Sequence, residues 1–384
     1  MRVALIAPRS VLYPGALDRH IRELARGLVR RGVAVELLTQ GREPSMMSVA
    51  EVDGVRERRF STSRHSAPFP VAPAMSEYLR RVAGSFDLVH VHCTHPLLAL
   101  AAARARPRRL VFSPLAPMER MLRWPYGGAT RAAVYVATAT ICMSRSDAAV
   151  LCRMLPMAAN RVRVFPQGVD MGAIRRASPF PTVSTLVLTV GRLLGHKRVD
   201  RAIAAMAGLV PAFELVVVGD GLARRRLEAY AADLQVSARV RFAGRASDAE
   251  LNRWLNTARL VVTLSEQEAF GLQVLEGVAA GKPVVASDIP AHREAAGYAA
   301  DGAVTFVLPE GSPLDVADAI RAALAVPVPH LIRPLPSWDD VVDTTLALYE
   351  ELLPRAPTNG AGPTRLGRPG RFERGDRRGV GIEG

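Results

Sequence analysis

Short apolar runs alternate with stretches of helical period from the first residue onward, the pattern of parallel α/β sheets. In the first half the runs predict strands at residues 3–7, 34–39, 88–92, 110–112, 141–143 and 162–165, with helices at 17–31 and 97–106. Residues 166–184, with Pro166, Pro179 and Pro181, break the alternation. It then restarts with strands at 186–190, 214–218, 240–242, 260–264 and 284–286. Helices are expected at 199–206, 222–234, 248–255, after Gly271 and at 313–325. The fold class is therefore α/β, with two Rossmann-like doubly wound domains facing a cleft. The expected division is 1–166, a linker at 167–184, a second domain at 185–336, and a helix at 337–353 that crosses back to the first domain. Residues 354–384, rich in Arg, Gly and Pro with few large apolar side chains, are expected to be a disordered tail.

The length of 384 residues agrees with two domains. Charge divides them: residues 1–170 carry a net +13, residues 171–353 a net −3, and the last segment +4. A basic half fits nucleic acid, an anionic membrane surface, a phosphorylated substrate, or merely an arginine-rich composition. Cys93, Cys142 and Cys152 sit in apolar contexts without metal-ligand spacing, as reduced packing residues of a cytosolic protein would. No apolar run reaches the length of a membrane span.

The predicted strand at 260–264 feeds the loop Ser265-Glu266-Gln267-Glu268-Ala269-Phe270 and a helix starting near Gly271. Free amides at Gly271 and Leu272 and the positive helix end would favour a phosphate, with Glu268 and Glu276 placed to accept hydrogen bonds from hydroxyls. A second glycine-containing loop, Gly191-Arg192-Leu193-Leu194-Gly195-His196-Lys197, follows the strand at 186–190. Of 50 basic residues only Lys197 and Lys282 are lysines, so a chain that otherwise uses arginine keeps a compact ammonium here. Fixed cations and amides are what a departing diphosphate needs. No Asp-x-Asp signature stands at a strand end, so the chemistry requires neither metal nor cofactor.

These residues resemble the donor half of the retaining glycosyltransferases of family 4, which have the GT-B fold. The resemblance rests on Val190-Gly191-Arg192 with Lys197, Gly219-Asp220-Gly221, Phe242-Ala243-Gly244, and Glu268-Ala269-Phe270-Gly271 with Glu276. Tyr13-Pro14-Gly15-Ala16, the run Asp87 to His92, and Pro166-Gln167-Gly168-Val169-Asp170 extend it over roughly residues 1–350. It implies transfer of a sugar from a nucleoside-diphosphate sugar to an acceptor hydroxyl with retention, without a metal. Arg192 and Lys197 would hold the phosphates and Glu276 the ribose. Glu268, with the amides of Ala269, Phe270, Gly271 and Leu272, would hold the sugar. Gly15 and Gly191 would line the phosphate loops, and Gly244 and Arg245 would lie near the base.

Two features depart from the family. Ala16 follows Gly15 where a second glycine is common, and the loop Ser113-Pro114-Leu115-Ala116-Pro117 lacks the histidine often found there. Ser113 and His92 are the acceptor-side candidates; His90 shares the His92 face of its strand, and His95 lies nearby. Satisfied core histidines are an equal reading for His90 and His92. His20, among the arginines of the first helix, is expected at the surface, and Arg19, Arg22, Arg26, Arg30 and Arg31 are expected to form a solvated basic face. The stretch 118–125 mixes Met118, Met121, Leu122 and Trp124 with arginine, so packing, an acceptor loop and contact with an anionic membrane all stand as readings. The acceptor, whether lipid-linked, polysaccharide or small molecule, is not specified. The expected location is the cytoplasm, including the inner face of a membrane. A rival is a family member that binds nucleotide sugar without efficient transfer. A nucleic-acid partner is more distant, because no aromatic–basic interleaving supports it.

Overall fold

The computed structural model describes residues 1–10, 15–41, 48–62, 71–93, 96–123, 125, 127–182, 184–326 and 330–353. Tyr13, Pro14, His95, Trp124 and the expected tail lie outside them. Residues 1–352 form one compact unit that contains two sheets. The first has β1 (Arg2–Ile6), β2 (Ala34–Gly41), β3 (Ser48–Val52), β4 (Val55–Ser61), β5 (Leu88–Cys93), β6 (Leu110–Pro114), β7 (Ala139–Cys142) and β8 (Val162–Val164). Their order is β3-β4-β2-β1-β5-β6-β7-β8, and the pairs are parallel except β3 with β4. The second holds β9 (Thr185–Val190), β10 (Phe213–Val218), β11 (Val240–Gly244), β12 (Leu260–Thr263), β13 (Val284–Ser287) and β14 (Val304–Val307), in the order β11-β10-β9-β12-β13-β14.

Each sheet winds outward from a central strand, β1 or β9, first to one side and then to the other. Such winding leaves a crevice beyond the strand C-termini beside β1 and β9. Helices cover both faces, so β1 is buried from Val3 to Ile6, β9 from Leu186 to Thr189, and β5 from Leu88 to Cys93. The two parallel α/β sheets agree with the fold class expected from the sequence.

The hydrophobic pattern does not mark β3, β4 or β14. Strand β4 reads as polar because its charges are paired inside the fold. Arg58 Nε donates to Glu36 Oε1 at 3.0 Å, and buried Glu57 accepts from Thr39 Oγ1 at 2.7 Å. The segment expected as a linker carries the helix Met171–Arg176, capped by Asp170 Oδ1, which accepts from Ala173 N at 2.8 Å. Farther along it, Phe180 stacks on Trp254 with centroids 4.3 Å apart.

The closing helix, Trp338–Leu352, packs against the opening helix, Ala16–Arg30, and brings Val342, Leu348 and Tyr349 into the core under the first sheet. This is the crossing back that the sequence predicts. Two expectations about the opening helix are corrected. His20 is buried, with its ring edge-on to His92 and tilted against Trp338, because the closing helix covers that face of the opening helix. Arg19 and Arg22 are not solvated; both turn toward acidic groups that follow the second sheet's strands. Of the readings for residues 118–125, packing is the one that Met118, Met121 and Leu122 follow: they are buried in the core of the first half and not available to a membrane. Among the described residues no helix is long and apolar enough to cross one.

Candidate functional site

The Arg192 loop is held from beneath by the turn after β10. Gly219 has φ +137°, and a Cβ there would overlap the Gly191 carbonyl oxygen, so only glycine permits the approach. The approach is locked by Gly191 N donating to Val218 O at 2.9 Å and Leu193 N donating to Asp220 O at 3.0 Å. Gly244 closes the neighbouring strand end, its carbonyl accepting from Gly219 N at 2.7 Å, and Arg245 leans over the turn with Nε 3.8 Å from Asp220 Oδ2. Gly191, Gly219, Gly244 and Arg245 therefore form one rim.

Beyond that rim a single turn at Gly195–Lys197 aims Lys197 at the second loop, where its Nζ lies 2.5 Å from Glu268 Oε1. Ser265 Oγ donates to the same carboxylate oxygen at 2.7 Å. Burial by itself would raise the Glu268 pKa, but the Lys197 ammonium and the Ser265 hydroxyl outweigh it and hold the carboxyl below its ordinary value. His292 stands close enough to sense that carboxylate. Its Nδ1 is 3.1 Å from Ser287 Oγ, its Nε2 has no partner among the described residues, and burial lowers its pKa. Sequence reasoning did not single out His292, because the helix that carries it, Pro290–Ala296, has only seven residues and little periodicity.

That helix also explains Gly271. A Cβ on Gly271 would lie 2.7 Å from Ala295 Cβ and 2.9 Å from Ala291 O, so a bare backbone is needed where the helix Leu272–Ala279 begins. Ala269, Phe270 and Leu272 are buried around this start. The first-turn amides have no acceptor within the helix, as at any helix N-terminus. Arg192, in the loop after β9, is exposed and without a salt bridge among the described residues. Its pKa is lowered first by partial desolvation in the cleft, then by the nearby charges of Arg9 and Arg120 from the first half. Arg192 thus senses the charge of two arginines of the first half, of which Arg9 is held by Asp18.

Glu276 is buried inside the Leu272–Ala279 helix and forms an ion pair with Arg19 of the opening helix. Gly15 begins that helix, with the Asp18 carboxylate closing over it and Arg9 Nε donating to Asp18 Oδ1 at 2.8 Å. Burial pushes the Asp18 pKa up, against the pull of Arg9. Neither Arg19 nor the Arg9–Asp18 pair was identified from the sequence, since each depends on contacts that only the fold creates.

His92 and Ser113 are brought together, but inside the first half rather than in the cleft. They pair in register on β5 and β6, 0% and 2% exposed. Ser113 Oγ lies 2.7 Å from His90 Nε2, whose Nδ1 is 2.6 Å from the Tyr349 hydroxyl of the closing helix. Burial pushes His90 down to about 3 and His20 to about 4, and lowers His92 well below its ordinary value. These rings are neutral interior groups, of which His92 has no hydrogen-bond partner for either nitrogen among the described residues.

Comparison with known proteins follows the same division. Residues 17–172 match the family model "Glycosyltransferase Family 4", and residues 170–330 match "Glycosyl transferases group 1". The chain is 28% identical over 345 residues to the phosphatidyl-myo-inositol mannosyltransferase of Mycobacterium leprae, covering 84% of this chain and 87% of that one. It is 26% identical over 399 residues to the D-inositol 3-phosphate glycosyltransferase of Xylanimonas cellulosilytica, covering 89% and 93%. In fold it is similar to sucrose-phosphate synthase from Thermosynechococcus elongatus, with TM-score 0.73, 20% identity, and coverage of 92% and 99%. It is also similar to Anabaena HepE solved with UDP and glucose, with TM-score 0.68, 17% identity, and coverage of 92% and 95%. With both halves matched and the Arg192, Lys197, Glu268 and Glu276 loops gathered at the strand ends, the chain belongs to the family 4 glycosyltransferases, retaining GT-B enzymes that transfer sugar from a nucleotide sugar.

Proposed function

We propose that the cleft holds a nucleoside-diphosphate sugar with its diphosphate between Arg192, Lys197 and the amides of Gly271 and Leu272. Glu276 takes the ribose, Glu268 takes sugar hydroxyls, and the acceptor is an inositol phosphate, free or as a lipid headgroup. The observation that carries this reading is the Lys197–Glu268 pair, which ties the loop of Arg192, an arginine with no salt bridge among the described residues, to the loop that leads into the Leu272–Ala279 helix. The acceptor class draws on the two relatives whose names give an inositol phosphate or phosphatidylinositol as acceptor, and on the basic character of the first half, whose Arg9 and Arg120 lie near enough to Arg192 to lower its pKa.

In the reaction the acceptor oxygen bonds to the anomeric carbon as the bond from that carbon to the phosphate oxygen breaks. Both events occur on one face, and the acceptor proton passes to the departing diphosphate. Arg192 and Lys197 meet the charge that develops there, so no protein nucleophile and no metal is needed. The work is done in the cytoplasm, with a lipid-linked acceptor reached from the inner face of the membrane.

Purified protein incubated with UDP- and GDP-sugars and either D-inositol 3-phosphate or phosphatidylinositol vesicles should form one α- or β-linked product of unchanged anomeric configuration. The arm that reacts identifies the free or lipid form. Hydrolysis alone in both arms would overturn the acceptor assignment. Turnover should survive a chelator; a strict need for added divalent ion would overturn the metal-free step.

A further inference from the structure

The opening helix contributes a buried cation to a place the donor must use. Arg19 is paired with Glu276, a contact between residues 257 positions apart that joins the first half to the helix after β12. Their side chains are 13% and 4% exposed, and Arg19 Nη1 lies a further 3.8 Å from Asp248 Oδ1. Arg22 holds Asp248 from the same helix face. The Nε of Arg19 is buried with no acceptor among the described residues, so the guanidinium is incompletely satisfied where it lies. Glu276 has no second cation partner among the described residues.

We infer that Arg19 is an internal competitor for the donor's ribose, a latch that occupies Glu276 in the empty enzyme and must release it before a nucleotide sugar can bind. The inference rests on the proposed role of Glu276 as the ribose ligand. A carboxylate engaged by a guanidinium can take the two ribose hydroxyls only after giving up that partner. Glu276 is therefore competent only in the fraction of molecules in which Arg19 has swung away, and the apparent dissociation constant is raised by the reciprocal of that fraction. Release is made easier by the missing Nε partner and by Asp248, which is half-exposed and already engages both Arg19 and Arg22, so the displaced guanidinium has a second carboxylate to rest on. The same contact ties the two halves together, so donor binding and the loosening of this tie are one event. An enzyme built this way keeps its donor pocket filled by protein until nucleotide arrives. Loss of the latch should then strengthen nucleotide binding, whereas loss of a true ligand weakens it.

Titration calorimetry with UDP and GDP on the full chain reads this directly. Arg19→Met keeps the volume and removes the charge, and should bind the preferred nucleotide about tenfold more tightly than wild type. Arg19→Lys, which keeps a cation near Glu276, should stay near wild type. Arg19→Gln, neutral but still able to hydrogen-bond Glu276, takes the place of the methionine variant if that one does not fold, with tightening again expected. Wild-type binding accompanied by unchanged or weaker binding in the neutral variants overturns the latch and makes Arg19 a bystander or a donor ligand. Failure of folded wild type and variants alike to bind any nucleoside diphosphate overturns the reading of Glu276 on which the latch stands.

Discussion

Lys197 and Glu268 are each held in place chiefly by the other. The ammonium lies 2.5 Å from a carboxylate that burial alone would make hard to ionise, and the pair leaves both side chains only 13% exposed. Because the Glu268 pKa in the folded protein is below its ordinary value, the pair contributes stability that is complete above the unfolded-state pKa. That stability is lost as pH falls through the lower folded value. Lys197→Met removes the cation and leaves burial as the dominant influence, so the Glu268 pKa should climb above its ordinary value. Two consequences are expected: a stability loss of about 3–5 kcal/mol, and a movement of the acidic limb of the pH–rate profile to higher pH with donor KM raised. An unmoved acidic limb would show that Glu268 takes no part in the turnover it limits. Residue identity was legible here from composition, because a lysine in an arginine-writing chain stands out. The pairing was not, because 71 positions separate the partners and only the parallel packing of β9 beside β12 brings their loops together.

The loops that carry these side chains depend on glycines whose purpose is contact between elements. Gly219, which the sequence offers only as one of the motifs of the family resemblance, is the support of the Arg192 loop, and its φ of +137° disfavours any side chain. Gly219→Ala should therefore destabilise by about 1–3 kcal/mol and weaken nucleotide binding, while the distant Gly84→Ala, with no atom within 4 Å of its added Cβ, should leave binding unchanged. Thermal unfolding with and without UDP separates the two effects. Long periodic elements were readable from sequence: the helix Pro313–Ala325 has the bounds its pattern predicts, and the crossing helix differs by one residue at each end. What escaped includes three ten-residue helices of the first half, Pro73–Val82, Gly127–Val136 and Arg145–Met154, and several elements that are short or internally paired. Strand β4 hides its burial behind ion pairs, and the helix Pro290–Ala296 is too brief to show a period, so His292 and the reason for Gly271 went unseen. The basic face of the opening helix misled for a related reason. Amphipathicity tells which side is polar but not whether that side meets water or, as for Arg19 and Arg22, an acidic surface elsewhere in the same chain.

At the scale of the whole molecule, the closing helix is joined to the first sheet through a group of histidines that cannot be charged where they lie. His90 meets Tyr349 of that helix, His92 stacks on His90 with centroids 3.8 Å apart, and His20 of the opening helix meets His92 and Trp338. All three are depressed by burial, so below the unfolded histidine pKa of about 6.5 the unfolded chain binds more protons than the folded one. Stability must then fall as pH drops from there toward the folded values of about 3 to 4. Asp147 and Asp18 act oppositely. Burial raises both, Asp147 to about 7, so they favour the folded state as pH falls through the same range. His292 and His196 are lowered by burial as well, so the histidines draw stability down in acid, at about 1.4 kcal/mol per pH unit for each proton the aspartates do not offset. The histidine share can be isolated with His92→Leu. Neither of its ring nitrogens has a partner among the described residues, so replacing it removes an unsatisfied polar group rather than a hydrogen bond. The variant should be at least as stable as wild type at pH 7.5, and its loss of stability between pH 6.5 and 5 should be shallower by about 1 kcal/mol per unit. Urea unfolding across that range measures both quantities. Parallel pH slopes for variant and wild type would mean that His92 is already charged in the folded protein, and that the closing helix is not held over a neutral cluster.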